Sequence, residues 1–466
     1  MYSLLFLGIV SAVLALGLTP LVRNLAWRFG IVDQPDHQRK IHSAPIPRLG
    51  GVAIFLSVFG AYGLLLAARM TSGTLVWVGL PLVLRLVPAF LIVFGVGLLD
   101  DLVGIRPWIK LSVELVAAGL AWLGGIHVSG LAGYSFSNEV SSFALTVLWI
   151  VACTNAINLI DGVDGLAAGV SLVAAITMLL GALINQHFPM ALAVAPLVGA
   201  LLGFLRYNFN PASVFLGDCG SLTLGFLLGC YGAVWSEKST TLLGMTAPLL
   251  VLAVPLFDVG LAIVRRFLHQ EPIFAADRAH IHHKLLSKGL TPRRLVVVIY
   301  GVCGVGAAAS LLLTEYHQQY SGLVIVLLCL AAWLGLQQLG YNEFSVAGKV
   351  VLGGAFRSVL SAQLALEAFE EEVKADMTLQ ECWEVLCRTC PRFGFSGIVF
   401  HVDGVARQFG INTGWQARLD FPGHGYINLL RESGTESQGA AAVLFIDCVS
   451  RVLTEKLGQL EAVHHE

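Results

Sequence analysis

From Ser3 to Leu339 the chain is a series of apolar runs, most of them long enough to cross a bilayer, separated by short polar stretches. That feature alone removes most folds. In hydrocarbon every backbone N–H and C=O must be satisfied within the protein, so only helices or closed barrels are available. Runs of this length exceed what a barrel strand needs, which leaves helices. Only 12% of the 466 residues are charged, about half the share of an ordinary soluble domain. The 50 glycines suit helices packed closely in lipid. A net charge of −2 gives no ground for nucleic-acid binding.

Eleven candidate spans follow, at 3–22, 50–68, 84–99, 110–125, 143–160, 166–184, 190–205, 221–235, 241–264, 295–313 and 321–339. Arg85 and Pro88 make the third the weakest. Ser3 to Leu18 reads as the first span and not as a cleavable leader, because no basic region precedes it and no small-residue cleavage site follows. Basic residues set the orientation. With the N-terminus outside, one set of loops holds Arg23, Arg28, Arg39, Lys40 and Arg48, then Arg106 and Lys110, then Arg206, then seven more between Arg265 and Arg294. The opposite loops hold Arg69, Arg85 and Lys238. The basic side is cytoplasmic, and an odd number of spans puts the C-terminus there too.

Beyond Leu339 the composition changes. Residues 341–354 read as a linker, and 355–466 as a soluble appendage of ordinary domain size. Glu367–Lys374, Met377–Cys390 and Ala440–Leu460 have helical periodicity, and Gly397–Val402 and Tyr426–Leu430 are strand-like. The fold expected is therefore an all-α polytopic membrane protein of about eleven transmembrane helices, residues 1–340, with a small C-terminal α/β cytoplasmic domain. The scattered cysteines form no disulfide framework. Cys382, Cys387 and Cys390 lack a well-placed fourth ligand for a metal or cluster.

Polar groups at the ends of these runs are costly without partners, which makes them functional candidates. Asn155, Asn158, Asp161 and Asp164 sit at a glycine-bearing turn between two spans. Asp100 and Asp101 close the third span, where adjacent carboxylates repel each other and need a cation, either a metal or a nearby Arg or Lys. Lys110 begins the next helix, where it could snorkel or hold a lipid phosphate. Asp218 stands between Gly217 and Gly220, open to a bulky ligand. The first loop carries Asp33, Arg48 and the Gly50-Gly51 pair, and suits an anionic ligand with a hydrogen-bonding base. His280, His282 and His283 lie in the longest cytoplasmic loop; in a helix His280 and His283 would share a face and His282 would point aside. Zinc is one reading of that cluster, but the surrounding Arg and Lys fit a phosphate better. All these groups fall on the cytoplasmic side. A transporter or channel, or a membrane scaffold acting through its appendage, are the other classes such a chain could serve; a transporter's polar residues belong near the bilayer midplane.

Five stretches in this order resemble the polyprenyl-phosphate N-acetylhexosamine-1-phosphate transferases. They are Pro47-Arg48-Leu49-Gly50-Gly51, Asp100-Asp101, Asn155 to Gly165, Phe215 to Ser221, and His280-Ile281-His282-His283. The Ile between the histidines, and Gly104-Ile105-Arg106-Pro107, are closer to the GlcNAc-1-phosphate branch than to the phospho-MurNAc-pentapeptide translocase branch. The resemblance covers residues 1–340 and leaves the appendage unassigned. It implies attack by an undecaprenyl or other polyprenyl phosphate on the β-phosphorus of a UDP-N-acetylhexosamine, releasing UMP and initiating a cell-envelope glycan. It implies Mg2+, with Mn2+ as a substitute, on Asp218 and Asn158. Asp100 and Asp101 would organise the acceptor phosphate, with a base role for one of them left open, and Asp161 and Asp164 the nucleotide sugar. His280, His282 and His283 would hold the diphosphate or stabilise charge on the leaving UMP. Lys110 and Arg48 would face the lipid phosphate, Asp33 the uridine, and Asn155 substrate. The setting implied is a bacterial cytoplasmic membrane, with membrane lipid as a partner, no nucleic acid, and a homodimer left open.

Overall fold

The computed structural model describes residues 2–35, 44–68, 74–128, 130–131, 134–135, 138–237, 246–268 and 280–315, and, further on, 366, 369–370, 372–373, 378–410, 414–432 and 439–464. The chain divides into two compact units, Met1–Leu339 and Gly340–Glu466.

In the first unit, α1 is Tyr2–Arg28, α2 Gly50–Ala67, α3 Thr74–Val103, α4 Pro107–Leu123, α5 Glu139–Ile160, α6 Leu166–Ile184 and α7 Phe188–Asn208. It continues with α8 Asp218–Glu237, α9 Thr246–Val251, α10 Ala253–Leu268, α11 Ile281–Ser287 and α12 Pro292–Glu315. Among the described residues seven helices are long and apolar enough to cross a membrane: α1, α2, the Leu80–Val103 part of α3, α5, α6, α7, and α12 to Leu312. The third expected span is thus longer than its sequence suggests, running through Pro81 and Pro88. The fourth and eighth are the helices α4 and α8. The ninth is not one helix. It breaks at Leu252, where Pro255 has no N–H to offer the Val251 carbonyl. The eleventh, 321–339, and the linker 341–354 lie outside the described residues, as do Arg39, Lys40 and Arg278.

Helix α1 packs along α7 and α2, α5 along α8, and α6 along α7, with α3 bridging α7 and α8. Leu5, Ile9 and Val13 on α1 and Val297, Val298 and Val302 on α12 are exposed, the apolar outer faces that lipid would cover. Hydroxyls inside the bundle satisfy themselves on the preceding turn: Thr19 donates to the Ala15 carbonyl at 2.6 Å, Thr154 to Ile150 at 2.8 Å and Thr223 to Cys219 at 2.6 Å.

One set of contacts places the site. The short strands β1, Val32–Asp33, and β2, Ile46–Pro47, pair antiparallel and close the first loop. The chain then docks on the segment before α8. Phe215 N–H donates to the Pro47 carbonyl (2.7 Å), Gly50 N–H to Phe215 (2.9 Å) and Gly51 N–H to Leu216 (2.8 Å). A Cβ on Gly51 would lie 2.3 Å from the Gly220 nitrogen, so this backbone-on-backbone approach needs glycine.

Past a second two-stranded ribbon in the first unit, β3 Gly130–Leu131 with β4 Tyr134–Ser135, the remaining strands belong to the second unit. They are β5 Gly397–Val402, β6 Val405–Gly410, β7 Gly414–Phe421 and β8 Gly425–Glu432, an antiparallel sheet in the order β6-β5-β8-β7. With them come α13, Leu379–Thr389, and α14, Gly439–His464. Phe393, Phe400, Ile427 and Phe445 fill the core. The sequence showed β5, β8 and both helices. It missed β6 and β7, where Arg407 and the exposed Gln408 and Arg418 dilute the apolar alternation. Cys382 and Cys390 are buried in this core as packing residues, and burial pushes the Cys390 thiol up to about 12.

Candidate active site

The site is built on the N-terminus of α8. Asp101, buried at the end of α3, accepts the backbone N–H of Asp218 and that of Cys219, each at 2.9 Å, one on each carboxylate oxygen. A carboxylate on the free N–H groups of a helix start is well placed. It also fixes where the Asp218 side chain begins. Asp100 faces elsewhere: one oxygen accepts the Ile105 N–H at 2.5 Å, and the other meets Lys110 Nζ at 3.2 Å. The repulsion expected of the pair is thus relieved by separating their partners. Lys110 Nζ also lies 2.7 Å from Asp218 Oδ2, so one ammonium joins two acids from different helices.

The turn between α5 and α6 is tied to the same place. Asn158 Nδ2 donates to Ser221 Oγ on α8 at 2.9 Å, which leaves its amide oxygen for other use. Asp164 Oδ2 accepts from Asn210 Nδ2 at 2.9 Å and from the Ala212 N–H at 3.0 Å, gripping the segment that leads to α8. Asp161 follows the last turn of α5. Burial and three neighbouring carboxylates, those of Asp218, Asp101 and Asp164, hold its carboxyl well above the usual range. Asn155 points back to α4, where its Nδ2 meets buried Glu114 at 2.5 Å.

The histidines arrive through Asp258, a buried acid on α10. Its Oδ1 accepts the Ile281 N–H at 2.9 Å, and its Oδ2 lies 3.2 Å from His280 Nδ1 and 3.9 Å from His282 Nδ1. This corrects the expected facing. His280 is the extended residue before α11 (φ −60°, ψ 153°), so His280 and His282 lie on one side with rings parallel at 5.6 Å. His283 lies tilted against His282, with ring centroids 4.4 Å apart and planes at 42°. A Cβ on Gly162 would lie 3.1 Å from His282 Nε2, which places that nitrogen beside the Asp161–Asp164 turn. Among the described residues no three His, Cys, Asp or Glu side chains form a ready-made metal cage.

Burial, reinforced by His283 and His280 and opposed by Asp258, pulls the His282 imidazole down to about 4. The unfolded chain, with an ordinary value near 6.5, then binds the proton first as pH falls. The stabilisation is full above about 6.5 and lost as pH drops through about 4, roughly 3 kcal/mol in all. Thermal unfolding of wild type and His282→Leu checks this: the wild-type midpoint should fall more between pH 7 and pH 4.5. Equal falls would remove His282 as the cause.

Arg48 joins the site through its backbone, whose carbonyl lies against Gly217, while its buried Nε has no hydrogen-bond partner among the described residues. Asp33 lies on β1 opposite Ile46. Glu114 and Asp258 were not foreseen as site residues. Each is a single acid inside an apolar run, which is the signal that could have found them.

Residues 83–236 match the model of glycosyl transferase family 4. The chain is 39% identical over 299 residues to a probable undecaprenyl-phosphate N-acetylglucosaminyl 1-phosphate transferase of Bacillus subtilis, covering 63% of this chain and 80% of the relative. It is 36% identical to a decaprenyl-phosphate N-acetylglucosaminephosphotransferase of Mycobacterium tuberculosis over 66% of this chain and 83% of the other. The undecaprenyl-phosphate alpha-N-acetylglucosaminyl 1-phosphate transferase of Escherichia coli matches at 31%, over 67% and 84%. With four-fifths of such relatives spanned, the chain belongs to glycosyl transferase family 4, among the polyprenyl-phosphate N-acetylglucosamine-1-phosphate transferases.

Proposed function

We propose that this chain transfers GlcNAc-1-phosphate from UDP-GlcNAc to undecaprenyl phosphate at the cytoplasmic face of a bacterial inner membrane. The product begins a cell-envelope glycan. The observation that carries the reading is the joining of Lys110, Asp100, Asp101 and Asp218 at the start of α8, beside the turn that holds Asn158, Asp161 and Asp164. In the proposed topology eleven spans leave the N-terminus outside. Residues 355–466 then form a cytoplasmic domain behind a linker at 341–354.

The donor set fits Mg2+, or Mn2+ in its place. Lys110 joins Asp100 and Asp218, the Asp161 carboxyl neighbours those of Asp218, Asp101 and Asp164, and Asn158 keeps its amide oxygen clear of Ser221; Mg2+ is commonly held by one or two carboxylates with phosphate and water, without a full protein cage. Asp218 and Asn158 would hold the ion. When bound it would neutralise the diphosphate and make the phosphorus easier to attack.

The chain's own residues do the rest. Lys110 and Arg48 bind the acceptor phosphate, with Asp100 setting the direction of Lys110. The acceptor is a phosphate monoester with a second pKa near 6. It arrives largely ionised, so no base has to remove a proton. Asp101, with both oxygens on backbone N–H groups, acts as a positioning residue for Asp218. Asp161 and Asp164 orient the nucleotide sugar, and Asp33, on β1, reads the uracil. His282, neutral near pH 7, presents Nε2 to the diphosphate beside Gly162, with His280 and His283 packed around it. The acceptor oxygen forms a bond to the β-phosphorus, the bond from that phosphorus to the bridging oxygen breaks, and UMP leaves with the electron pair.

UMP release from a panel of UDP-sugars, with undecaprenyl phosphate and Mg2+ added to the purified full chain, tests the reading. UDP-GlcNAc should give the fastest release, and release should depend on the lipid. Lipid-independent release, or a faster rate with a sugar lacking the N-acetyl group, would overturn it.

A further inference from the structure

Glu114 lies in none of the five motifs, yet it is 2% exposed in the middle of α4 and its carboxylate reaches across to α5. Asn155 Nδ2 donates to Glu114 Oε2 at 2.5 Å and to the Val151 carbonyl at 3.0 Å. An amide nitrogen has two N–H groups, so both are committed. A carbonyl can only accept, and so can an ionised carboxylate, so the group between them must be the NH2 end of Asn155. The amide oxygen is therefore turned away from α4 and accepts nothing among the described residues. Asn155 stands one helical turn before Asn158, whose own amide is oriented by Ser221. Two successive turns of α5 thus each carry an amide held by its nitrogen from a neighbouring helix. Glu114 sits four residues after Lys110 on the same helix, on the face that also carries the contacts to Asp100 and Asp218.

We infer that Glu114 is a positioning residue for the transfer reaction: it fixes the Asn155 amide so that its oxygen is offered to a hydrogen-bond donor of the nucleotide sugar, a hydroxyl or an N–H. The inference rests on the transferase reading above. It requires an acceptor at position 114, not a charge as such.

The test uses the full-length protein and UMP release with UDP-GlcNAc, undecaprenyl phosphate and Mg2+. Glu114→Leu should lower kcat/KM for UDP-GlcNAc about 10- to 100-fold, chiefly through KM, with KM for the lipid unchanged. Glu114→Gln, which keeps an acceptor oxygen, should retain at least a third of the turnover. The double variant of Glu114→Leu with Asn155→Ala should be no worse than Asn155→Ala alone. A second pair does not depend on the leucine variant folding. Asn155→Asp sets two carboxylates against each other and should be strongly impaired. Adding Glu114→Gln supplies an N–H and should restore activity at least tenfold. Multiplied losses in the first pair, or no restoration in the second, overturn the inference. A wild type without lipid-dependent UMP release would instead sink the transferase reading.

Discussion

Asp218→Asn is expected to lower UMP release by about a thousandfold or more, some 4 kcal/mol of barrier, with the protein still folded. The change is nearly isosteric. It leaves the backbone N–H of residue 218 on Asp101, the contact that starts α8. What it removes is charge. Asp218 Oδ2 is the nearer of the two acids on Lys110 (2.7 Å against 3.2 Å), and it lies among carboxylates that crowd Asp161. Phosphoryl transfer between two anions is chiefly a matter of position and neutralised charge. If Asp218 also holds Mg2+ on the diphosphate, as proposed, an amide is no substitute for its carboxylate. Turnover under saturating Mg2+, together with the thermal midpoint in detergent, decides the case. A variant within tenfold of wild type would show that Asp218 holds no metal. A midpoint lowered by many degrees would show that the loss came from α8 itself.

The bundle was readable because lipid leaves the backbone few choices, and the apolar runs mark helices directly. The ninth span broke that rule, since its length hid a proline near the middle. The candidate site drew its residues from polar clusters at span ends, as at Asp100-Asp101 and from Asn155 to Asp164. Their division of labour was not readable. Nothing in two adjacent aspartates says that one will cap α8 while the other takes Lys110, because that depends on how α3 meets α8. The histidine facing went wrong for a local reason: the helix begins after His280, so the spacing there follows extended backbone. Glu114 and Asp258 were passed over because each stands alone in its run, and the partners that explain them come from other helices.

Asp258→Leu is expected to cost about a hundredfold or more in turnover, although Asp258 touches no substrate in the proposed reaction. Its two oxygens hold the start of α11 at two points, the Ile281 N–H at 2.9 Å and His280 Nδ1 at 3.2 Å. Removing them leaves a half-buried N–H and a buried imidazole nitrogen without partners, at about 1–3 kcal/mol for a fully buried group. The cheapest relief is for the loop to move away from α10, and His282 would move with it. Its Nε2 would then leave Gly162 and the Asp161–Asp164 turn, and a displacement of about 1 Å there is enough to cost two orders of magnitude. Asp258→Asn separates this from a merely structural loss. An amide oxygen can still accept from Ile281, and the NH2 group can donate to His280 in its other tautomer. The asparagine variant should therefore recover most of the turnover. If asparagine were as damaging as leucine while the thermal midpoint stayed near wild type, the charge of Asp258 would be what matters. Asp258 would then act on the histidines electrostatically, opposing the fall in the His282 pKa, and not as their anchor.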